Sequence, residues 1–171
     1  GLLERQFRKT YDEANRLHKR MLWVSRIIRK LDQRIQDDRY TTDCPDPARL
    51  VQAQRYLYRA QAAPVYWHGR HAGVYDPHSR FRAWRDVIRA EREALEALGT
   101  RGRMTADIAE FSCDGVDEII LRTPSVTAII DPGRSGGMTE FCVYDAERNL
   151  MDALTRIEEP YHAELRRDLF Q

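Results

Sequence analysis

The apolar residues of this chain change their spacing near Gly102, and this change limits the folds that the chain can adopt. Before Gly102, apolar side chains recur every three or four residues, which is the period of an amphipathic helix. After it, short β-branched or aromatic runs alternate with turn residues, which is typical of a strand meander. The sequence therefore predicts a mainly α, α+β fold, with a three-helix bundle over residues 1–103 and a small, incomplete antiparallel β unit over residues 104–171.

Capping residues and stripes of apolar side chains at helical spacing predict where the three helices lie. Asn15 is the expected N-cap of the first, Asp46-Pro47 and Asp76-Pro77 begin the other two, and Gly99 is expected to follow the third. The expected buried stripes are Leu17, Met21, Val24, Ile28, Leu31 and Ile35 in the first helix, Leu50, Val51, Leu57 and Tyr58 in the second, and Phe81, Trp84, Val87, Ile88, Leu95 and Leu98 in the third.

Three strands are predicted in the second half, at residues 119–122, 125–130 and 140–144, with Gly- and Pro-containing turns between them. Residues 149–157 fit either a short helix or an irregular crossover, and residues 163–170 fit a last helical turn or two. Three or four strands cannot cover both faces of a sheet. We therefore expect the β unit to be truncated and the chain to be a fragment of a larger protein.

The loop between the second and third helices has the composition of a ligand site. Residues 66–78 combine aromatic rings, imidazoles and glycines, beginning with Tyr66-Trp67-His68-Gly69. Aromatic rings offer flat apolar faces to a sugar or small molecule, imidazoles offer hydrogen bonds, and glycine allows close approach of the backbone. The alternative is a buried loop in which Tyr66 and Trp67 only pack and the histidines cap helix ends.

Charge and cysteine content exclude some partners. The chain has 28 basic and 27 acidic side chains, so it lacks the excess of positive charge that would predict a nucleic acid or an anionic membrane as partner. A neutral ligand fits this charge balance better than a polyanion. The basic run of the first helix, which includes Arg20, is interpreted as a solvated face. Cys44, Cys113 and Cys142 are odd in number and far apart, which favours reduced thiols and a cytoplasmic location.

Several segments, in order, resemble glycoside hydrolase family 57, the family of α-amylases and 4-α-glucanotransferases. The segments similar to its helical-bundle region are Tyr11-Asp12-Glu13-Ala14-Asn15, residues 18–25, Leu57-Tyr58-Arg59-Ala60-Gln61 and Tyr66-Trp67-His68-Gly69. Residues 114–121, 131–137, 149–156 and 160–162 are similar to the start of its C-terminal β-sandwich domain. The resemblance extends from about Tyr11 to His162.

The resemblance implies an enzyme that acts on α-1,4-glucan or malto-oligosaccharide by a retaining mechanism. The family's glutamate nucleophile and aspartate acid/base, about 5–5.5 Å apart in such mechanisms, lie on an N-terminal catalytic (β/α) barrel that precedes the region matched here. The implied roles in this chain are therefore substrate binding and scaffolding, with no catalytic residue. Trp67 would stack on a glucose ring, His68 would bond its hydroxyls, and Tyr66 and Gly69 would complete the site.

The chain also departs from the family pattern around this motif. Arg70, His71 and Ala72 replace the usual residues after Tyr-Trp-His-Gly, and residues 62–64 replace a more polar stretch before it. The alternative function is accordingly a non-catalytic carbohydrate-binding or structural helical module.

Three other groups of side chains have residue types that can bind a cation or act as a general acid or base. His68, His71 and His78 with Asp76 have ligand types that suit a metal, but the loop does not force them together, and we expect no metal and no cofactor. Glu91, Glu93 and Glu96 are interpreted as solvent-facing residues of an amphipathic helix. Asp114, Asp117 and Glu118 are interpreted as turn and strand-start acids rather than a cation site.

Overall fold

In a computed structural model of the chain, residues 12–66 and 76–154 are described. The helices are α1 (Asp12–Asp37), α2 (Pro47–Ala60), α3 (Pro77–Ala97) and the short α4 (Met151–Leu154), with a 3₁₀ turn at Ala63–Tyr66. The strands are β1 (Thr105–Ala109), β2 (Glu118–Arg122), β3 (Val126–Asp131), β4 (Gly137–Val143) and β5 (Arg148–Asn149). Three long helices followed by a five-stranded antiparallel sheet confirm the predicted mainly α, α+β fold.

The stripe of α1 forms one wall of the bundle core. Leu17, Met21, Val24, Ile28 and Leu31 are all buried, as predicted, and Ile27 is buried beside them. Asn15 was wrongly predicted as an N-cap, because it lies inside α1. The N-cap prediction failed because the helical pattern continues on its N-terminal side as far as the described residues reach.

Alanines set the packing of α2. Asp46 caps the helix as predicted, its Oδ1 accepting from the Ala48 N–H at 2.9 Å. The buried residues are Leu50, Ala53, Leu57 and Ala60, so the predicted burial of Val51 and Tyr58 is wrong: they are 55% and 64% exposed. The small side chains of Ala53 and Ala60 let the neighbouring helices approach closely, so these alanines occupy the contact face. Val51 and Tyr58 face solvent instead.

Both predicted ends of α3 are confirmed. Asp76 precedes Pro77 as the N-cap. At the other end Gly99 has φ +66°, the left-handed conformation that glycine adopts without strain. The Thr100 N–H donates to the Leu95 carbonyl and the Gly99 N–H to that of Glu96, both at 3.0 Å, which is the Schellman arrangement.

The strands form a meander in the order β1-β2-β3-β4-β5, all antiparallel. The three predicted strands are confirmed as β2, β3 and β4. The prediction omitted β1 and β5, because Thr-Ala-Asp-Ile-Ala is mostly polar or small and a two-residue strand has no detectable period. Residues 151–154 form a short helix, one of the two forms expected for 149–157, and residues 163–170 lie outside the described part.

Glu118, at the start of β2, stabilises the β1–β2 connection. It is buried, and its carboxylate accepts from the Phe111 N–H at 2.7 Å and from the Ser112 N–H at 3.2 Å. Asp114 accepts from the Val116 N–H at 3.0 Å within the same turn. Both carboxylates are engaged by backbone donors, as expected for turn and strand-start acids.

The helices and the sheet share one core. Cys142 of β4 and Tyr144 just beyond it are buried in the same apolar cluster as the helical stripes. The helical and β parts therefore pack through a common interior. The division into domains 1–103 and 104–171 stays a prediction from the sequence.

A buried ionic cluster lies where the bundle meets the sheet. Arg20 of α1 is fully buried, with Nη2 2.5 Å from Glu91 Oε2 on α3 and Nε 3.2 Å from Glu140 Oε1 on β4. The Tyr144 hydroxyl donates to Glu91 at 3.3 Å and shares a 2.6 Å hydrogen bond with Thr127. The predicted solvent exposure of Arg20 and Glu91 is thus wrong. Each lies on the buried side of its helix, where the other neutralises its charge.

Burial and pairing shift the titration of this cluster in opposite directions. Burial alone would lower the pKa of Arg20, but Glu140 and Glu91 raise it above its ordinary value. Burial raises the pKa of Glu140, and Arg20 opposes that rise only in part. The arginine therefore remains a cation that two carboxylates share, and burial favours the neutral form of Glu140.

We expect Glu140→Gln to change how stability depends on pH. A carboxyl whose pKa is raised by folding stabilises the folded state below its unfolded pKa, and that contribution is lost as pH rises through the folded pKa. Glutamine has no proton to lose, so the stability of the variant relative to the wild type should increase as pH rises above 4.5, the ordinary pKa of a glutamate. Urea unfolding across this range measures the difference.

Glu93→Gln, which loses an ion pair to Arg49 outside the cluster, is the matched control for the pH series. A stability difference between Glu140→Gln and the wild type that does not vary with pH would contradict the raised pKa of Glu140.

Among the described residues, no helix is both long enough and apolar enough to cross a membrane.

Candidate functional site

The predicted ligand segment begins at Tyr66, which the fold holds firmly. Its hydroxyl donates to the Ala60 carbonyl at the end of α2, at 2.9 Å. Its ring packs against the bundle core and meets the His18 ring edge to face, with centroids 6.1 Å apart. Burial raises the pKa of Tyr66 well above its ordinary value, so the phenol stays a neutral donor. Tyr66 thus ties the start of the segment to α1 and α2.

Asp76 secures the other end of the segment. Its carboxylate accepts from the Ser79 hydroxyl at 2.5 Å, the Ser79 N–H at 3.1 Å and the His78 N–H at 3.2 Å. The Ser79 hydroxyl, together with these backbone donors, lowers the pKa of Asp76, although burial opposes the change. The carboxylate is therefore occupied as a helix cap and begins α3 at a defined point.

Trp67, His68 and Gly69 lie outside the described residues, as does His71. Their predicted contacts with a ligand stay predictions. Within the part of the chain that the structure describes, no group of three His, Cys, Asp or Glu side chains is arranged to hold a metal ion.

A cleft of about 400 Å³ adjoins both ends of this segment. It lies between the end of α2, the 3₁₀ turn and the first turns of α3. Its apolar wall consists of Ala62, Val65 and Ala83, and its polar lining consists of Arg59, Ser79, Arg82 and Asp86. The volume is within the range of about 300–1,000 Å³ that small-molecule sites occupy.

Asp86 is the unusual residue of this cleft. It is only 4% exposed, and its Oδ2 lies 3.3 Å from Arg59 Nε. Its Oδ1 is buried without a hydrogen-bond partner in the structure. Burial raises the pKa of Asp86, while Arg59 and the neighbouring arginines of α3 oppose the rise. A buried carboxylate oxygen without a hydrogen-bond partner is unusual in a protein interior.

The sequence did not single out Asp86, although a signal was present. Ala83, Val87, Ala90 and Ala94 are buried at helical spacing on α3, and Asp86 falls on that buried side. A carboxylate at such a position is rarely found without a partner or a role.

The acids of α3 that were predicted to face solvent separate into two groups. Glu96 is exposed and pairs with Arg101 at 2.6 Å, and Glu93 is half-buried and pairs with Arg49 at 2.8 Å. Glu91 belongs to the buried cluster described above, so only the prediction for Glu91 is wrong.

The chain matches the models of two known protein domains. Residues 2–94 match the family model described as "Alpha-amylase/4-alpha-glucanotransferase, middle domain", and residues 110–170 match the model described as "Alpha-amylase/4-alpha-glucanotransferase, C-terminal". The segment 66–78 and the cleft both fall within the first match.

Curated relatives and a solved structure agree with these matches. The chain is 32% identical to Alpha-amylase 1 of Dictyoglomus thermophilum over 94% of its length, and 30% identical to a 4-alpha-glucanotransferase of Thermococcus kodakarensis over 95%. It aligns with the crystal structure of the Thermococcus litoralis 4-alpha-glucanotransferase at a TM-score of 0.68 and 29% identity, covering 94% of this chain. In each case it spans about a fifth of the relative's length, 21%.

Proposed function

Because the chain belongs to the α-amylase/4-α-glucanotransferase family, glycoside hydrolase family 57, we propose that it supplies substrate subsites and scaffold to an α-glucan-active enzyme. The observation that carries the proposal is the match of residues 2–94 to the family's middle domain, with the aromatic segment inside it. We infer the substrate class from the relatives, which are named as α-amylases and 4-α-glucanotransferases. The substrate we propose is therefore an α-1,4-glucan or malto-oligosaccharide.

The chemistry we propose is retaining cleavage of the glucosidic bond, with hydrolysis or transfer as the outcome. In such a mechanism one carboxylate attacks the anomeric carbon and the other protonates the leaving oxygen. The proposal assigns both carboxylates to a catalytic barrel outside the 171 residues of this chain. This assignment is supported by the length of the relatives, of which the chain spans only 21%.

Within the chain, we propose that Trp67 stacks on a glucose ring and that His68 bonds its hydroxyls, with Gly69 allowing close approach. Tyr66 supports them differently, since its hydroxyl is committed to the Ala60 carbonyl and its ring to the core. Its role in the proposal is to set where the segment leaves the bundle. The Asp76 cap sets where the segment returns.

We expect Trp67→Ala, made in the complete protein, to lower kcat/KM on malto-oligosaccharides by about 5- to 30-fold. The loss of one stacking platform removes about 1–2 kcal/mol of binding if buried apolar area governs it. Initial rates on maltotetraose and on longer glucans measure this effect.

Tyr58→Ala is the matched control for Trp67→Ala, because Tyr58 is an aromatic residue of α2 that is 64% exposed and does not line the cleft. Its kinetics should equal those of the wild type. Unchanged kinetics in Trp67→Ala on both short and long glucans would remove Trp67 from the site.

We also propose a cytoplasmic location. The three cysteines of the chain, Cys44, Cys113 and Cys142, are free thiols, as is common in proteins of reducing compartments.

A further inference from the structure

The cleft between α2 and α3 lies in a locally basic part of the molecule. Burial raises the pKa of Asp86, and four arginines oppose that rise: Arg59, Arg85, Arg89 and Arg82. Asp86 pairs with Arg59 at 3.3 Å, and Glu147 pairs with Arg89 at 2.6 Å. Within the part of the chain that the structure describes, Arg82 and Arg85 form no ion pair. This excess of positive charge is local, because the net charge of the whole chain is only +1.

Tyr56 of α2 holds two of these cations close together. The Cζ atom of Arg59 lies 5.9 Å from the centroid of the Tyr56 ring, and the Cζ atom of Arg89 lies 5.6 Å from it. A guanidinium group over an aromatic face at such a distance is attracted to the ring. The fold therefore keeps an arginine of α2 and an arginine of α3 beside one ring, where their like charges favour a nearby anion.

Two of the four arginines, Arg59 and Arg82, line the cleft itself. Arg59 contacts Asp86 through Nε, and its side chain is still 57% exposed. Since a guanidinium group carries five N–H donors, Arg59 keeps donors for a second acceptor. Arg82 is exposed, so its donors are accessible from solvent. The cleft thus offers two accessible guanidinium groups to a ligand.

The first turn of α3 does not supply further donors to the cleft. The His78 and Ser79 N–H groups both donate to the Asp76 carboxylate, and so does the Ser79 hydroxyl. A ligand in the cleft would therefore depend on the two arginine side chains for its hydrogen bonds.

The shape and lining of the cleft narrow the class of anion. Guanidinium groups match the oxygens of phosphate in paired hydrogen bonds. The volume of about 400 Å³ is that of a small-molecule site and is much larger than a free phosphate ion. Ala62, Val65 and Ala83 give the cleft an apolar wall as well. A small molecule with a phosphate group and an apolar part fits both features.

We propose that this cleft binds a phosphate monoester, with Arg59 and Arg82 on the phosphate and the organic group against the apolar wall. Asp86 holds Arg59 in place through their 3.3 Å contact. The site is separate from the proposed Trp67-His68 contacts and does not depend on the glucan function.

Titration calorimetry of the 171-residue chain with phenyl phosphate and with inorganic phosphate tests the assignment. We expect both to bind, and phenyl phosphate to bind more tightly because its ring contacts the apolar wall. Arg82→Gln should weaken both affinities about tenfold, the usual effect of losing a hydrogen bond between charged groups. Arg82→Lys should recover only part of this loss, because an ammonium group lacks the planar fork of a guanidinium group.

Arg29→Gln is the matched control, because it removes the same charge from an exposed position of α1 that does not line the cleft. It should bind both phosphates as the wild type does. Ala62→Phe, at an exposed position of the apolar wall, should weaken the binding of phenyl phosphate by filling the cleft and leaves both arginines in place.

Three results would overturn the proposal. A wild-type chain that binds neither phosphate would remove the site. Equal weakening by Arg29→Gln and Arg82→Gln would show that diffuse surface charge, rather than the cleft, attracts the anion. Equal affinities for phenyl phosphate and inorganic phosphate, unchanged in Ala62→Phe, would contradict the monoester. Binding of maltotetraose is a separate measurement, so the glucan function stands or falls independently of these results.

Discussion

Arg20→Met is expected to lower the free energy of unfolding by about 3–5 kcal/mol, the cost of removing one partner from a buried ion pair. Arg20 is fully buried, and it is the cation for both Glu91 and Glu140. Methionine has a similar length and no charge, so the side chain still fills the space. What remains is two buried carboxylates facing each other without a counter-charge. Urea unfolding followed by circular dichroism measures the change.

Arg29→Met serves as the control for Arg20→Met, because Arg29 is exposed on the same helix. Its effect should stay within about 0.5 kcal/mol, as for most surface substitutions. A loss below about 1 kcal/mol for Arg20→Met would show that the cluster contributes little to holding the sheet on the bundle.

Trp84→Ala is expected to cost about 3–5 kcal/mol, because a large buried aromatic leaves a cavity that the surroundings fill only in part. Trp84 is 3% exposed in the centre of α3. Its side chain also hydrogen-bonds the Asp152 carboxylate, which pairs with Arg80 as well. The substitution therefore removes core volume and one donor of a buried acid. The midpoint of urea unfolding reports the loss.

Trp84→Phe separates the two effects in the previous prediction, since it keeps an aromatic ring and loses the indole N–H. We expect it to be intermediate between the wild type and Trp84→Ala. A Trp84→Phe variant as unstable as Trp84→Ala would mean that the bond to Asp152, rather than the packing, dominates the contribution of Trp84.

Local chemistry allowed much of the fold to be predicted from the sequence. The Asp-Pro starts of α2 and α3 and the Gly99 end of α3 were correct because a cap depends on a few adjacent residues. The strands β2 to β4 were correct because their apolar runs are interrupted by Gly and Pro turns.

Tertiary pairing could not be predicted in the same way. Arg20 and Glu91 look like solvated charges because each lies among other charged residues in its own helix. Only the fold places them 2.5 Å apart in the interior. Val51 and Tyr58 were assigned to the core for a related reason, since apolar type alone does not show that alanines occupy the contact face.

The candidate site was predictable only in part. The composition of the segment from Tyr66 onward, and its resemblance to the family to which the chain belongs, predict a ligand site there. The cleft between the end of α2 and the start of α3 was not predicted, because it combines residues of α2, the 3₁₀ turn and α3 that are up to 27 positions apart in the chain, from Arg59 to Asp86. Spacing within a single helix does not show such a combination.

We propose that these 171 residues hold glucan-binding subsites without the catalytic carboxylates. Saturation-transfer difference NMR of maltotetraose with the chain tests both parts in one sample. We expect magnetisation transfer to the glucose ring protons, with the signals of maltotetraose unchanged over hours. Absence of transfer would contradict the subsites, and the appearance of longer and shorter oligosaccharides would contradict the assignment of the chemistry to another part of the protein.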